Sequence, residues 1–113
     1  MDKERFERGL AARKSVLGAE YVEKALANAD DFNLEFQEQL TEFCWGSCWG
    51  NETLDRRQRS LLNLGMIAAL NRMVEWEIHF RGAIKNGITR EELKAILLQI
   101  SVYCGVPTGV ECF

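Results

Sequence analysis

With 113 residues, of which 47% are hydrophobic and 27% charged, the sequence can bury a core, and its length suits one domain, taken as residues 1–113. A formal net charge of −3, with both signs interspersed, provides no phosphate-neutralising face, so no nucleic-acid partner is expected. No apolar run approaches the ~20 residues of a membrane span, and Met1-Asp2-Lys3-Glu4-Arg5 opens as a charged helix rather than a leader. A cytoplasmic protein with no membrane partner is the expectation.

A single proline, late at Pro107, leaves nearly the whole chain free to form helices, and no alternating β-branched run argues for a sheet. The fold class is therefore all-α. Asp2 can cap a first helix to about Leu17, with Phe6 and Leu10 on one face and Gly18 as its stop. A short second helix carries Tyr21, Val22, Ala25, Leu26 and Ala29. Asp30 and Asp31 offer caps for a third helix whose apolar side is Leu34, Phe36, Leu40 and Phe43, failing between Gly46 and Gly50.

Thr53 is the expected cap of the longest element, Leu54 to Asn71, a central buried helix whose Leu61, Leu62, Leu64, Met66, Ile67 and Leu70 leave few solvent-facing positions. Its first turns hold Asp55, Arg56, Arg57 and Arg59, cations at the unfavourable end of the helix dipole, for some of which an external acidic partner is expected. A break at Asn71-Arg72 precedes a helix to Lys85 closed by Asn86-Gly87. Thr89-Arg90-Glu91-Glu92 is a capping box opening a last helix with Leu93, Ile96, Leu97, Ile100 and Tyr103, which ends at Cys104-Gly105 before Pro107.

His79 is the sole histidine, and imidazole alone among unperturbed side chains changes charge near neutral pH. Glu75, four residues earlier, shares its helix face and can orient the ring and raise its basicity. The same spacing also describes an ordinary solvent-exposed pair. A zinc site built on His79 and Glu75 lacks further ligands at recognisable spacing, so no metal is expected. Cys44 and Cys48 flank Trp45 and Trp49 in Phe43-Cys44-Trp45-Gly46-Ser47-Cys48-Trp49-Gly50, a segment that could shape a pocket wall. Packing is the plainer role for such thiols, since a redox pair is usually set closer, at Cys-x2-Cys. Cys104, at a helix end where carbonyls collect, also reads as packing.

Taken together, Leu54-Asp55-Arg56-Arg57-Gln58-Arg59-Ser60-Leu61-Leu62, Ala69-Leu70-Asn71-Arg72, Glu75, His79, Asn86-Gly87-Ile88-Thr89 and Tyr103-Cys104-Gly105-Val106-Pro107 resemble the 4-carboxymuconolactone decarboxylases. Arg13 to Gly18, Asn28 to Asn33 and Trp45-Gly46 with Trp49 extend the likeness over almost the whole chain. The resemblance implies an AhpD-like all-α domain of about six helices, assembled into a ring-shaped homo-oligomer, a trimer or hexamer. It also implies cofactor-independent decarboxylation of 4-carboxymuconolactone, a small lactone carboxylate, to 3-oxoadipate enol-lactone in the protocatechuate route of aromatic catabolism.

On that pattern His79 is the proton donor, Glu75 its orienting partner, and Arg59 the guanidinium for a substrate carboxylate or developing oxyanion. Arg56 is held in reserve, both arginines being equally suited to intersubunit ion pairs. Trp45, Trp49 and Cys104 are expected at the substrate. The AhpD branch carries Cys-x2-Cys-x3-His; with its histidine placed on His79, Arg72 and Glu75 occupy the cysteine positions. A thiol redox protein would then have to use Cys44 and Cys48, and a non-enzymatic oligomeric subunit is the remaining alternative. Two features depart from the family pattern: the cysteines at 44 and 48, and the ending Thr108 to Phe113, where family chains run on into a further helix. Loss of that helix is expected to expose apolar surface and favour oligomers.

Overall fold

The computed structural model describes all 113 residues and contains seven α-helices, one π-helix and no strand. The chain forms two compact units, Met1–Asp55 and Arg56–Phe113.

The first unit holds α1 (Lys3–Leu17), α2 (Ala19–Ala27), α3 (Leu34–Leu40) and the π-helix (Thr41–Trp49). Asp2 caps α1 as its sequence suggested, its carboxylate accepting the Arg5 N–H at 3.0 Å. Gly18 ends α1 at φ 99°, a conformation that a side chain would strain. Asp30 prepares α3 through its side chain, accepting the N–H groups of Phe32 and Asn33. The expected break between Gly46 and Gly50 does not occur: α3 passes directly into the π-helix, which continues to Trp49 and closes at Gly50. Glycine removes the obstacle rather than the helix. A Cβ on Gly9 would lie 2.0 Å from the Thr41 carbonyl oxygen and 2.7 Å from the Gly46 nitrogen, so α1 and the π-helix touch backbone to backbone.

The core of this unit is Ala12, Val16, Trp45 and Trp49, with Leu40 packed against it. The expected apolar side of the third helix is correct only at Leu40, since Phe36 and Phe43 are 65% and 57% exposed. Arg13 is buried, its Nη1 donating to Gln37 Oε1 at 3.1 Å and Thr41 Oγ1 at 3.3 Å.

The second unit holds α4 (Arg56–Ala69), α5 (Met73–Lys85), α6 (Arg90–Cys104) and α7 (Val106–Cys112). Thr53 does not cap α4, which starts later; its N–H instead donates to Asn51 Oδ1 in the preceding turn. One row of α4, Ser60, Leu64 and Ala68, is buried, while Leu62, Met66 and Leu70 are 53%, 47% and 69% exposed. The helix is therefore covered on one side and not wrapped by neighbours. Asn71 terminates it at φ 57°, the left-handed conformation that asparagine tolerates among non-glycine residues.

The Thr89 capping box forms as written, Thr89 Oγ1 accepting the Glu92 N–H at 3.1 Å and Glu92 Oε1 accepting the Thr89 N–H at 2.9 Å. Glu92 also pairs with Arg57, so this arginine finds its acid inside the unit rather than on an external partner. The further helix expected to be lost after Pro107 is present: beyond Gly105 the chain forms α7, a seventh α-helix where about six were expected, with Pro107 in its first turn where a missing N–H is harmless. The Trp76 indole N–H donates to the Cys112 carbonyl at 3.1 Å and fixes α7 onto a core of Leu64, Ala83, Ile88, Leu93, Leu97 and Ile100.

Candidate functional site

His79 lies in the middle of α5 and is half-buried, against the plain expectation of an exposed helical pair. Its Nδ1 is 3.5 Å from the carboxamide nitrogen of Asn63 on α4. Burial pushes the imidazole below its ordinary pKa, because the charged ring loses hydration, and the Glu75 carboxylate opposes that shift. Glu75 itself is exposed, one turn earlier on α5.

α4 supplies the other half of the arrangement. Arg56, Arg59 and Asn63 recur at i, i+3 and i+7 and so form one row along this helix. Arg59 is half-buried with its Nε removed from solvent, whereas Arg56 is exposed. The alignment of α4 with α5 is held by a second contact, Asn86 Nδ2 donating to Ser60 Oγ at 2.9 Å. A neutral imidazole, a carboxylate within reach of it and a guanidinium on the facing helix form a set able to bind an anion and move a proton.

Asn63 is the residue that sequence reasoning missed. Its signal was the heptad spacing from Arg56 and the i+4 spacing from Arg59, hidden because one asparagine among leucines reads as a tolerated polar position.

Cys104 lines a groove of about 380 Å³ between α4 and α6, with Leu61, Gly65, Ile96, Gln99, Ile100 and Tyr103. None of His79, Glu75 and Arg59 lines that groove, and Leu61 and Gly65 face away from the Asn63 row of α4. Trp45 and Trp49 belong to the core of the first unit, 4% and 5% exposed, with ring centroids 4.9 Å apart in a stacked pair. Cys44 and Cys48 do not take the expected packing role; both are exposed on the outer side of the π-helix. No cluster of three or more His, Cys, Asp or Glu side chains is placed to hold a metal ion, and no helix is long and apolar enough to cross a membrane.

A half-buried imidazole with a carboxylate one turn away and a carboxamide on the facing helix is an arrangement able to move a proton. The comparisons with known proteins name its family. Residues 35–112 match the carboxymuconolactone decarboxylase family. The nitrosuccinic acid decarboxylase of Metarhizium robertsii is 48% identical over 106 residues, covering 94% of this chain and 74% of that protein. The 4-carboxymuconolactone decarboxylase of Acinetobacter baylyi is 40% identical over 108 residues, covering 96% of this chain and 81% of that protein. This chain belongs to the carboxymuconolactone decarboxylase family and is an enzyme of the carboxy-lyase type.

Proposed function

We propose that the chain decarboxylates, without a cofactor, a small acid that bears a second acidic group and an electron sink beside the leaving carboxylate. 4-Carboxymuconolactone is the first candidate, giving 3-oxoadipate enol-lactone, with the protocatechuate route of aromatic catabolism as its setting. Loss of carbon dioxide leaves an electron pair on carbon; the unsaturated lactone passes it to the carbonyl oxygen, and a proton is then delivered to carbon. His79 is the proton donor in this reading, Glu75 orients it, and Arg59 binds the remaining carboxylate or the developing oxyanion, with Arg56 in reserve. The observation that carries the reading is the half-buried position of His79 facing the Arg59 and Asn63 row, with Glu75 one turn away.

A second substrate is favoured by a specific observation, the 48% identity to a nitrosuccinic acid decarboxylase. A nitro group accepts the electron pair as readily as an unsaturated lactone does, and the same proton donor and guanidinium serve both acids. The thiol redox alternative through Cys44 and Cys48 is disfavoured by their spacing, Cys-x3-Cys, since a redox pair is usually set at Cys-x2-Cys.

The ring-shaped homo-oligomer, trimer or hexamer, is part of the proposal. Its support is the apolar surface on Leu62, Met66, Leu98, Val102, Tyr103 and Val110 of the second unit.

The test is to supply the purified chain with each acid in turn and follow carbon dioxide release. Release from at least one is expected, and His79→Ala should lower kcat on the order of 100-fold or more with helicity retained. Inertness of the wild-type protein toward both acids would overturn the proposal.

A further inference from the structure

We infer that Asn63 is the positioning residue of His79: its carboxamide N–H donates to Nδ1, which holds the neutral ring protonated on Nε2 and presents Nε2–H to the substrate. The inference rests on the proposed role of His79, and it begins from the 3.5 Å approach of Asn63 Nδ2 to His79 Nδ1. An amide nitrogen has no lone pair with which to accept, so the carboxamide donates in this contact and Nδ1 receives it as a bare nitrogen. A neutral imidazole has one proton, which must then sit on Nε2.

The burial of the ring adds to the argument. Water removed from a half-buried imidazole no longer selects the tautomer, so a fixed dipole from the neighbouring helix does so. Asn63 is rigidly placed, because α4 and α5 are also tied at Ser60 and Asn86 in this same unit. The charged group that bears on the ring is Glu75 on its own helix; Arg59 and Arg56 share the Asn63 row of α4. Glu75 favours the charged ring. Asn63 contributes no net charge, but its N–H bonds only the ring with a bare Nδ1, so it fixes where the one proton sits and also disfavours uptake of a second.

The chain has one histidine, which makes the test direct. Long-range proton–nitrogen NMR of the neutral ring should show Nδ1 as the bare nitrogen and Nε2 as the protonated one. Asn63→Ala should mix the two tautomers and lower kcat about fivefold to tenfold, the worth of one neutral hydrogen bond, with KM within about twofold. Asn63→Asp keeps the size of the side chain but can only accept when ionised, so it should move the proton to Nδ1 and shift the pH profile upward. This variant carries the test if Asn63→Ala does not fold. A wild-type ring protonated on Nδ1, or an unchanged tautomer in both variants, would overturn the inference. Since the tautomer is read without substrate, that failure is distinct from inertness of the wild-type protein, which strikes at the decarboxylase reading instead.

Discussion

At the level of single residues, His79 is governed by two opposed influences, loss of hydration and the Glu75 carboxylate, of which the first is larger. Glu75→Gln removes the opposing influence, so the His79 pKa should fall further, as an NMR titration of the single imidazole will read. An unchanged or higher pKa would show that Glu75 does not act on the ring. The spacing of Glu75 and His79 was legible in the sequence because four residues bring side chains onto one helix face. The burial of His79 was not, because it depends on which face of α5 meets α4. Asn63 escaped for the same reason: its neighbours in sequence are apolar, and its meaning comes from a residue sixteen positions away.

At the level of elements, stops and starts written in local chemistry were readable. The Asp2 cap, the Gly18 stop and the Thr89–Glu92 capping box all formed where the residue types demand them, since each satisfies backbone groups within a few residues. Asn71 supplies a test of such a stop. Asn71→Gly should leave stability unchanged or slightly raised, whereas Asn71→Ile should cost roughly 1–2 kcal/mol, because a β-branched side chain opposes φ 57°. Thermal unfolding of the two variants decides it. The π-helix was not readable, since Gly46 and Gly50 look like breakers until α1 is seen against them. Gly9→Ala pushes a methyl into the Thr41 carbonyl and should destabilise the protein by about 1–3 kcal/mol in denaturant unfolding. A neutral result would mean that α1 and the π-helix separate at little cost.

At the level of the whole molecule, the depressed pKa of His79 gives stability a direction with pH. The unfolded chain binds a proton near ~6.5, before the folded one does, so the His79 contribution is present above that pH. It is lost as pH falls toward the lower folded value. Melting curves between neutral and mildly acidic pH should show this loss in the wild-type protein and less of it in His79→Gln. Native mass spectrometry tests the proposed ring: a trimer or hexamer is expected, and Met66→Glu with Leu62→Glu should shift it toward smaller species, whereas a wild-type monomer would remove the ring from the proposal. By itself the sequence determined the helical class, the caps at Asp2 and Thr89 and the i, i+4 pair of Glu75 and His79, because these depend on contacts within one or two turns. Only the tertiary structure decided that His79 is drawn out of water against Asn63, that Arg57 is spent on Glu92, and that Cys104 lines a separate groove. Each of these depends on which helix faces pack together, and periodicity gives a helix its apolar side without naming the side it will meet.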